Sequence, residues 1–393
     1  MTETVLESAP TPTQTDALPP RLIGRVDGRR GGATLICLGG IHGNEPSGVQ
    51  ALERVLGKLA ADRTGLDGTL VAFRGNRKAA LTRRRFISND LNRHWHPERV
   101  ERLLAVDPAT LEAEDEELVE LDAALRGVID SAGGPIFAMD LHTTSGEGAC
   151  FVVLDDSIAN RQFALHEPVT VVVGLEEELV GTVTAHLDTL GARVYGFEAG
   201  QHDDPASVDR AEAAIWIALE SSGVLADKRP EVEASRELLR RQTGDLPHVV
   251  EVIHRHPVQP EDRFRMEPGY ENFQTIAAGE KLATDRTGEI VSPHDGLILM
   301  PLYQQQGEDG FFLVHPVKPL WLLISKWVRR LDAQRLLPWL PGVSRHPEEF
   351  DTFVVDQHTA RYLARELFHH LGYRRVGPAD GRFLTMTRRH PHG

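Results

Sequence analysis

Residues 35–46 read Leu35-Ile36-Cys37-Leu38-Gly39-Gly40-Ile41-His42-Gly43-Asn44-Glu45-Pro46. Four apolar residues run into a glycine pair, the pattern of a buried strand that ends in a tight turn. The turn delivers a histidine and a glutamate three residues apart. Spacing alone does not select them, because His248/Glu251 and His346/Glu349 repeat the His-x-x-Glu pattern with no glycine turn before it. A second apolar run, Ile136-Phe137-Ala138-Met139-Asp140-Leu141-His142-Thr143-Thr144, also delivers a histidine at its end. Strand ends in one α/β sheet lie close together, so His42, Glu45 and His142 are candidates for a single metal site. Three such ligands leave a fourth position for water, the donor set of a catalytic zinc. A structural site is closed and usually rich in thiolates.

The flanking sequence alternates strand-like and helix-like segments. Ala33–Leu38, Thr69–Phe73, Ile136–Leu141, Phe151–Leu154 and Arg193–Phe197 read as strands, and Ser47–Leu59 and Thr110–Ile129 carry leucine and valine at helical spacing. Ser207–Leu219 reads as a further helix capped by Ser207 or Asp209. The acidic run Glu112–Glu117 is expected to be a solvated first helical turn, favoured by the helix dipole. This is an α/β pattern, a mixed central sheet flanked by helices. The texture changes after about residue 228: short β-like runs with Gly, Pro, Asn and Asp turns fill 245–318, the signature of a small all-β domain. Residues 319–393 follow as a C-terminal α/β extension with a strand at Thr352–Val355, a helix at Thr359–Leu371 and no assigned role. Residues 1–24 are expected to be a disordered tail, leaving 25–230 as the catalytic domain.

At 393 residues the chain exceeds the usual single-domain length, so two or three domains are expected. Hydrophobic content of 41% and charge of 26% are those of a soluble globular protein, with no apolar run near the roughly 18 residues that span a bilayer. Met1–Pro20 is polar and proline-spotted, which reads as a tail and not as a signal peptide. Only Cys37 and Cys150 are present, both in apolar runs, which argues against a disulfide scaffold and for a reducing cytoplasm. A net charge of -15 argues against nonspecific nucleic-acid binding. No membrane partner is expected, and a homo-oligomer is left open.

Between the first two ligands and the third lies a segment of opposite character. Arg74, Arg77, Lys78, Arg83, Arg84, Arg85 and Arg93 supply seven cations against one acid, Asp90, within residues 73–93. Beside a metal site such a cluster would focus anionic substrates, and arginine's planar fork pairs two-pronged with a carboxylate. A solvated basic face is the alternative. Further on, Tyr195-Gly196-Phe197-Glu198-Ala199-Gly200 places a glutamate at another strand end between glycines. Near a metal-bound water Glu198 is a candidate general base; otherwise it is a surface residue.

The ordered motifs His42-x-x-Glu45, Arg85, Asp90-Leu91-Asn92-Arg93, Asp140-Leu141-His142-Thr143 and Phe197-Glu198-Ala199-Gly200 resemble those of the succinylglutamate desuccinylase/aspartoacylase family, within the zinc carboxypeptidase superfamily. The resemblance covers roughly residues 25–225. Pro268–Phe273, Gly279–Ala283 and Pro293–Gly296 also look like the family's C-terminal β domain. The resemblance implies a zinc amidohydrolase that cleaves an N-acyl amino acid or a similar small anionic amide by a metal-activated water. One zinc would be held by His42, Glu45 and His142, and Glu198 would be the base. Arg85 would polarise the carbonyl and stabilise the oxyanion, while Asn92 and Arg93 would grip a substrate carboxylate. Tyr303 falls near the place of a pocket tyrosine, with a core or surface role as the alternative. Asp140 would stand behind the His142 ring or be a buried structural acid. One departure bears on substrate: aspartoacylases carry a further arginine about ten residues before the glutamate, and here that place is Asp188, so the far end of the amide is expected to be neutral or cationic. A carboxypeptidase acting on peptides and a catalytically idle metal-binding regulator are the competing readings.

Overall fold

A computed structural model describes residues 17–28, 31–175, 178–317, 342–345, 352–356, 373–375 and 383–388. In chain order the first half comprises β1 (Leu22–Asp27), β2 (Thr34–Gly39), α1 (Ser47–Ala61), β3 (Thr69–Arg74), α2 (Arg77–Leu81), α3 (Pro97–Leu104), α4 (Ala113–Ser131), β4 (Ile136–Thr144), β5 (Phe151–Val153), α5 (Ile158–Ala164), β6 (Thr170–Val173), α6 (Val183–Thr189) and β7 (Arg193–Gln201). Helices α7 (Ala206–Ser221) and α8 (Pro230–Thr243) then lead into β8 (Val249–Pro257), β9 (Arg265–Met266), β10 (Thr275–Ile276), β11 (Lys281–Asp285), β12 (Gly288–Val291), β13 (Gly296–Leu299) and β14 (Asp309–Pro316). Strands β15 (Val343–Arg345), β16 (Thr352–Asp356), β17 (Tyr373–Arg375) and β18 (Phe383–Arg388) form a separate four-stranded antiparallel sheet. The helix expected at Thr359–Leu371 lies outside the described residues.

Eleven strands make one mixed sheet in the order β1-β3-β2-β4-β7-β5-β6-β8-β14-β13-β10. Strands β3, β2, β4 and β7 run parallel at its centre. Along β2 the side chains alternate between two cores, as the two-residue period of a strand requires. Leu35 and Cys37 join Leu52, Val55 and Leu59 of α1 and Ile215 and Trp216 of α7. Ile36 and Leu38 join Leu118, Leu121 and Leu125 of α4 and Leu187 of α6. A strand covered on both faces is apolar at every position, which is why β2 reads as an unbroken hydrophobic run.

The β-rich region divides between two sheets. Strands β8, β14, β13 and β10 continue the main sheet, while β9, β11 and β12 form a three-stranded sheet of their own. Strand β1 begins inside the stretch expected to be tail. It is an edge strand with a single buried residue, Val26, so its sequence lacks a hydrophobic run. Helix α7 starts at Ala206 behind Pro205 with no side-chain cap; the Ser207 hydroxyl instead donates to the Gln201 carbonyl at 2.8 Å. Helix α8 buries only Val232, Ser235 and Leu239, too few apolar positions for periodicity to find it. Among the described residues no helix is long and apolar enough to cross a membrane.

Candidate metal centre and cleft

The parallel strands set the location. Strand β3 lies on one side of β2 and β4 on the other, so the chain reverses its winding there, and the carboxyl ends of such strands frame a crevice. The loop after β2 turns on Gly40, whose φ of 72° is the left-handed region. At Gly43 a Cβ would lie 2.2 Å from the Ala79 carbonyl carbon, so only glycine lets the loop settle against α2. This contact fixes His42 and Glu45 over the sheet. His142 in β4 and Glu198 in β7 are register partners on adjacent parallel strands, which brings the fourth group beside the other three.

His42, Glu45 and His142 are buried, and their ligand atoms lie within 4.8 Å of one another. Among the described residues they form the one group of three or more His, Cys, Asp or Glu able to hold a metal. His42 Nδ1 faces Glu45 Oε1 at 2.8 Å, and His142 Nδ1 faces Glu45 Oε2 at 3.2 Å. The outer nitrogens face carboxylates: His42 Nε2 with Asp90 Oδ1 at 3.1 Å, and His142 Nε2 with Asp140 Oδ2 at 2.6 Å. The Thr143 amide donates to Glu45 Oε2 at 3.0 Å. Arg85 approaches Asp90 Oδ2 through Nε at 3.0 Å and Nη2 at 2.9 Å. Its Nη1 lies 3.5 Å from Glu45 Oε1.

These contacts set the protonation balance. Burial alone would raise the Glu45 pKa, yet the facing histidines hold it well below the usual carboxylate range. For Asp90 burial is likewise overridden, chiefly by the Arg85 charge and then by His42. Burial would lower the His142 pKa, but Asp140 and Glu45 keep it well above the ordinary imidazole value. Glu198 has no such support. Burial pushes it up to about 8, with His142 and Arg85 pulling down against Glu45 and Asp140, and its Oε2 is buried without a hydrogen-bond partner.

The basic segment does not act as one cluster. Arg77 pairs with Glu117 and Glu120, Lys78 with Glu116, and Arg74 with Glu53. The acidic run does open the helix as expected, with Glu112 exposed, but it is solvated only in part: Glu114 and Glu117 are buried and serve as internal counter-charge. Of the seven cations, only Arg85 and Arg93 line the cleft. Arg93 donates to the Asn92 carbonyl at 2.9 Å and to Asp309 Oδ2 of β14 at 3.0 Å, while its Nε finds no acceptor. Asn92 accepts the Val183 amide at 2.9 Å, and its Nδ2 stands 3.5 Å from His142 Nε2.

The cleft is open to solvent at its mouth, and His42, Glu45, His142, Glu198, Arg85, Asn92 and Arg93 all line it. Tyr303 lines neither of its two connected parts. It is 40% exposed, its hydroxyl donating to the Glu267 carbonyl at 2.8 Å and accepting the Tyr270 amide at 2.9 Å. Asp188 does not line the cleft either; its carboxylate accepts from Asn160 Nδ2 at 2.9 Å, so the charge inference drawn from that position has no contact behind it. His248 and Glu251 stand outside the metal group, and His346 and Glu349 lie outside the described residues. Sequence reading passed over His202, Gln304 and Gln306. His202 bridges Thr143 Oγ1 at 2.7 Å and Gln304 Oε1 at 3.1 Å, and Gln304 Oε1 also accepts from Asn44 at 2.8 Å. Gln306 accepts the Arg85 amide at 3.2 Å and donates to the Phe86 carbonyl at 3.3 Å. The consecutive glutamines Gln304-Gln305-Gln306 were the available signal.

The fold and the site together define an α/β protein with a His-Glu-His group able to hold a metal at a sheet switch point. Residues 31–215 match the family described as Succinylglutamate desuccinylase/Aspartoacylase catalytic domain, a family of deacylases. No curated protein matches in sequence. Solved structures similar in fold include the succinylglutamate desuccinylase/aspartoacylase from Rhodobacter sphaeroides, 16% identical with a TM-score of 0.54 over 76% of this chain and 88% of that one. The succinylglutamate desuccinylase from Vibrio cholerae is 17% identical, with a TM-score of 0.51 over 75% and 85% of the two chains. The product-bound ectoine utilization protein from Ruegeria pomeroyi is 19% identical, with a TM-score of 0.52 over 74% and 87%.

Proposed function

We propose that this protein is a zinc-dependent deacylase that hydrolyses the amide bond of an N-acyl amino acid or a similar small amide bearing a carboxylate. The observation that carries this reading is the orientation of the two imidazoles. Each gives its Nε2 to a carboxylate, Asp90 or Asp140, and turns Nδ1 toward Glu45. Metal-binding histidines are held in this way from behind, and a two-histidine, one-glutamate set with room for water suits zinc. His42, Glu45 and His142 would hold one ion per chain. When bound, the ion supplies Lewis acidity, bringing the pKa of a water toward about 7 and polarising a carbonyl.

The other roles belong to the chain's own side chains. Glu198 lines the cleft with an unpartnered carboxylate oxygen, placed to take a proton from water and hand it to the departing amine. Arg85 is locked by Asp90 and meets the negative charge that develops on the carbonyl oxygen. Asn92 and Arg93 receive the substrate carboxylate, with the free Arg93 Nε–H as the donor still available. Tyr303 braces the loop that carries the glutamines and is assigned no substrate contact. That loop reaches from Asn44 to Arg85 along the rim, which favours a small substrate over the peptides of a carboxypeptidase. Two buried free cysteines are in keeping with a cytoplasmic protein.

Metal analysis joined to a panel of N-acyl amino acids tests the reading. About one zinc per chain, lost to a chelator together with hydrolysis, is the expected result. A fully metal-loaded protein that released no amino acid from any member of the panel would be evidence for an idle regulator.

A further inference from the structure

The cleft has two connected parts of different lining, which share Arg85, Arg93, Thr143 and Met300. One is polar, edged by Arg85, Arg93, Ser145, His202, Gln304 and Asp309. The other holds His42, Glu45, His142 and Glu198, and beyond them it is walled by Val153, Leu154, Leu175, Leu179 and Met300 with Thr182 and Thr184. Among the described residues the only lysines or arginines lining this part are Arg85 and Arg93, and both are already engaged, Arg85 by Asp90 at 2.9 Å and Arg93 by Asp309 at 3.0 Å. Between Phe151 and Ala192, the stretch that supplies four of its five apolar side chains, the sequence holds a single Lys or Arg, Arg161. Its guanidinium is bonded to Asp156 at 2.6 Å. Arg193 is taken up over the Phe137 ring, 5.2 Å from its centroid, at the amino end of β7 and away from the site. Next to the apolar wall the charged side chain is an acid, Asp155.

A substrate spanning both parts with its amide at the His-Glu-His group has a polar end and an apolar end. The arginines take the carboxylate of the amino-acid portion, so the acyl portion, on the other side of the scissile carbon, lies against the leucines. A carboxylate at the tip of that acyl group would be buried without a counter-ion, which is strongly unfavourable. We infer that the apolar part receives a short, neutral alkyl acyl chain, so that this enzyme prefers N-butyryl to N-succinyl amino acids. The inference rests on the deacylase reading.

The test compares zinc-loaded protein on N-acetyl-, N-butyryl-, N-succinyl- and N-(4-aminobutyryl)-alanine, and on N-butyryl-leucine. Two added methylenes should make kcat/KM for butyryl about tenfold higher than for acetyl, with succinyl and 4-aminobutyryl below acetyl. Leu179→Arg should reverse the butyryl-to-succinyl order by supplying the missing cation. Calorimetric binding to Glu198→Gln protein should show the same ranking without turnover. Succinyl or 4-aminobutyryl ranking first in the unaltered protein overturns the inference, and so does a gain from leucine over alanine with no gain from acyl length, because the apolar part would then hold the amino-acid side chain. Ranked binding with no hydrolysis of any amide would instead sink the deacylase reading and leave the pocket chemistry standing.

Discussion

Asp90 and Asp140 each face one imidazole of the candidate metal group, and in the proposed reading they orient those ligands and do not touch substrate. Replacing Asp140 by Asn keeps the side chain's shape but removes the charge that faces His142 Nε2 at 2.6 Å. Zinc affinity is expected to fall about 10- to 100-fold, read by competition with a chromogenic chelator; unchanged affinity would show that Asp140 is only a buried structural acid. The ligands themselves predict a larger change. A His42→Ala/His142→Ala protein should lose its metal, whereas replacing His248 or Glu251 should leave it in place, since that pair lies outside the group. Metal content of the double variant equal to wild type would refute the assignment. Glu198 separates binding from chemistry. Glu198→Gln should retain zinc and substrate affinity while turnover drops by about 100-fold or more, the range of general-base assistance. Near-normal turnover would remove Glu198 from the mechanism.

At the scale of elements, the loop between α2 and α3 carries Arg85, Asp90, Asn92 and Arg93, and it is held from outside the cleft by α4. The Glu114 carboxylate accepts the amides of Ile87, Ser88 and Asn89 at 2.6, 2.9 and 3.3 Å and the Asn76 side chain at 3.1 Å. Glu114→Gln would turn an NH₂ toward those donors. A stability loss of about 1–3 kcal/mol is expected, with zinc retained and kcat/KM lowered because Arg85 and Asp90 lose their support. Full kcat/KM in a destabilised variant would show that the loop does not depend on this anchor. The same elements show where sequence reading reached and where it stopped. Strand β2, its glycine turn and helix α4 are local patterns, and their residues announced them within one to three positions. Most partners of the α4 acids are far off in sequence, Arg21, Arg77, Lys78, Arg99 and His186 among them, and no local period encodes a pairing across tens of residues. Thus Glu114 looked like a solvated first turn. Arg93 was legible as a cation near the site, but its partner Asp309 enters from β14, more than two hundred residues on. Asp188 failed for the converse reason, since a motif offset located it on α6 without saying that it turns to Asn160.

The whole molecule rests on a sheet covered on both faces, and within one of the two cores Glu167 is a fully buried acid. Its Oε1 accepts the Tyr195 hydroxyl at 2.7 Å, while Oε2 is left without a partner. Burial pushes its pKa up to about 8, against smaller lowering by Tyr195 and Arg236. In the unfolded chain an ordinary glutamate titrates near 4.3. Between those values the folded state keeps the proton and the unfolded state releases it, so unfolding is favoured as pH rises. The expected loss is up to about 1.4 kcal/mol per pH unit across that window, levelling off above pH 8 and below pH 4. Glutamine preserves the oxygen that Tyr195 addresses and cannot ionise. Urea unfolding of wild type and Glu167→Gln at pH 5 and pH 8 should therefore show the variant gaining on wild type at the higher pH, with the difference between the two proteins isolating Glu167 from the histidines and from bound metal. A gap that stayed constant between pH 5 and pH 8 would mean that Glu167 does not change its protonation between the folded and unfolded states in that range.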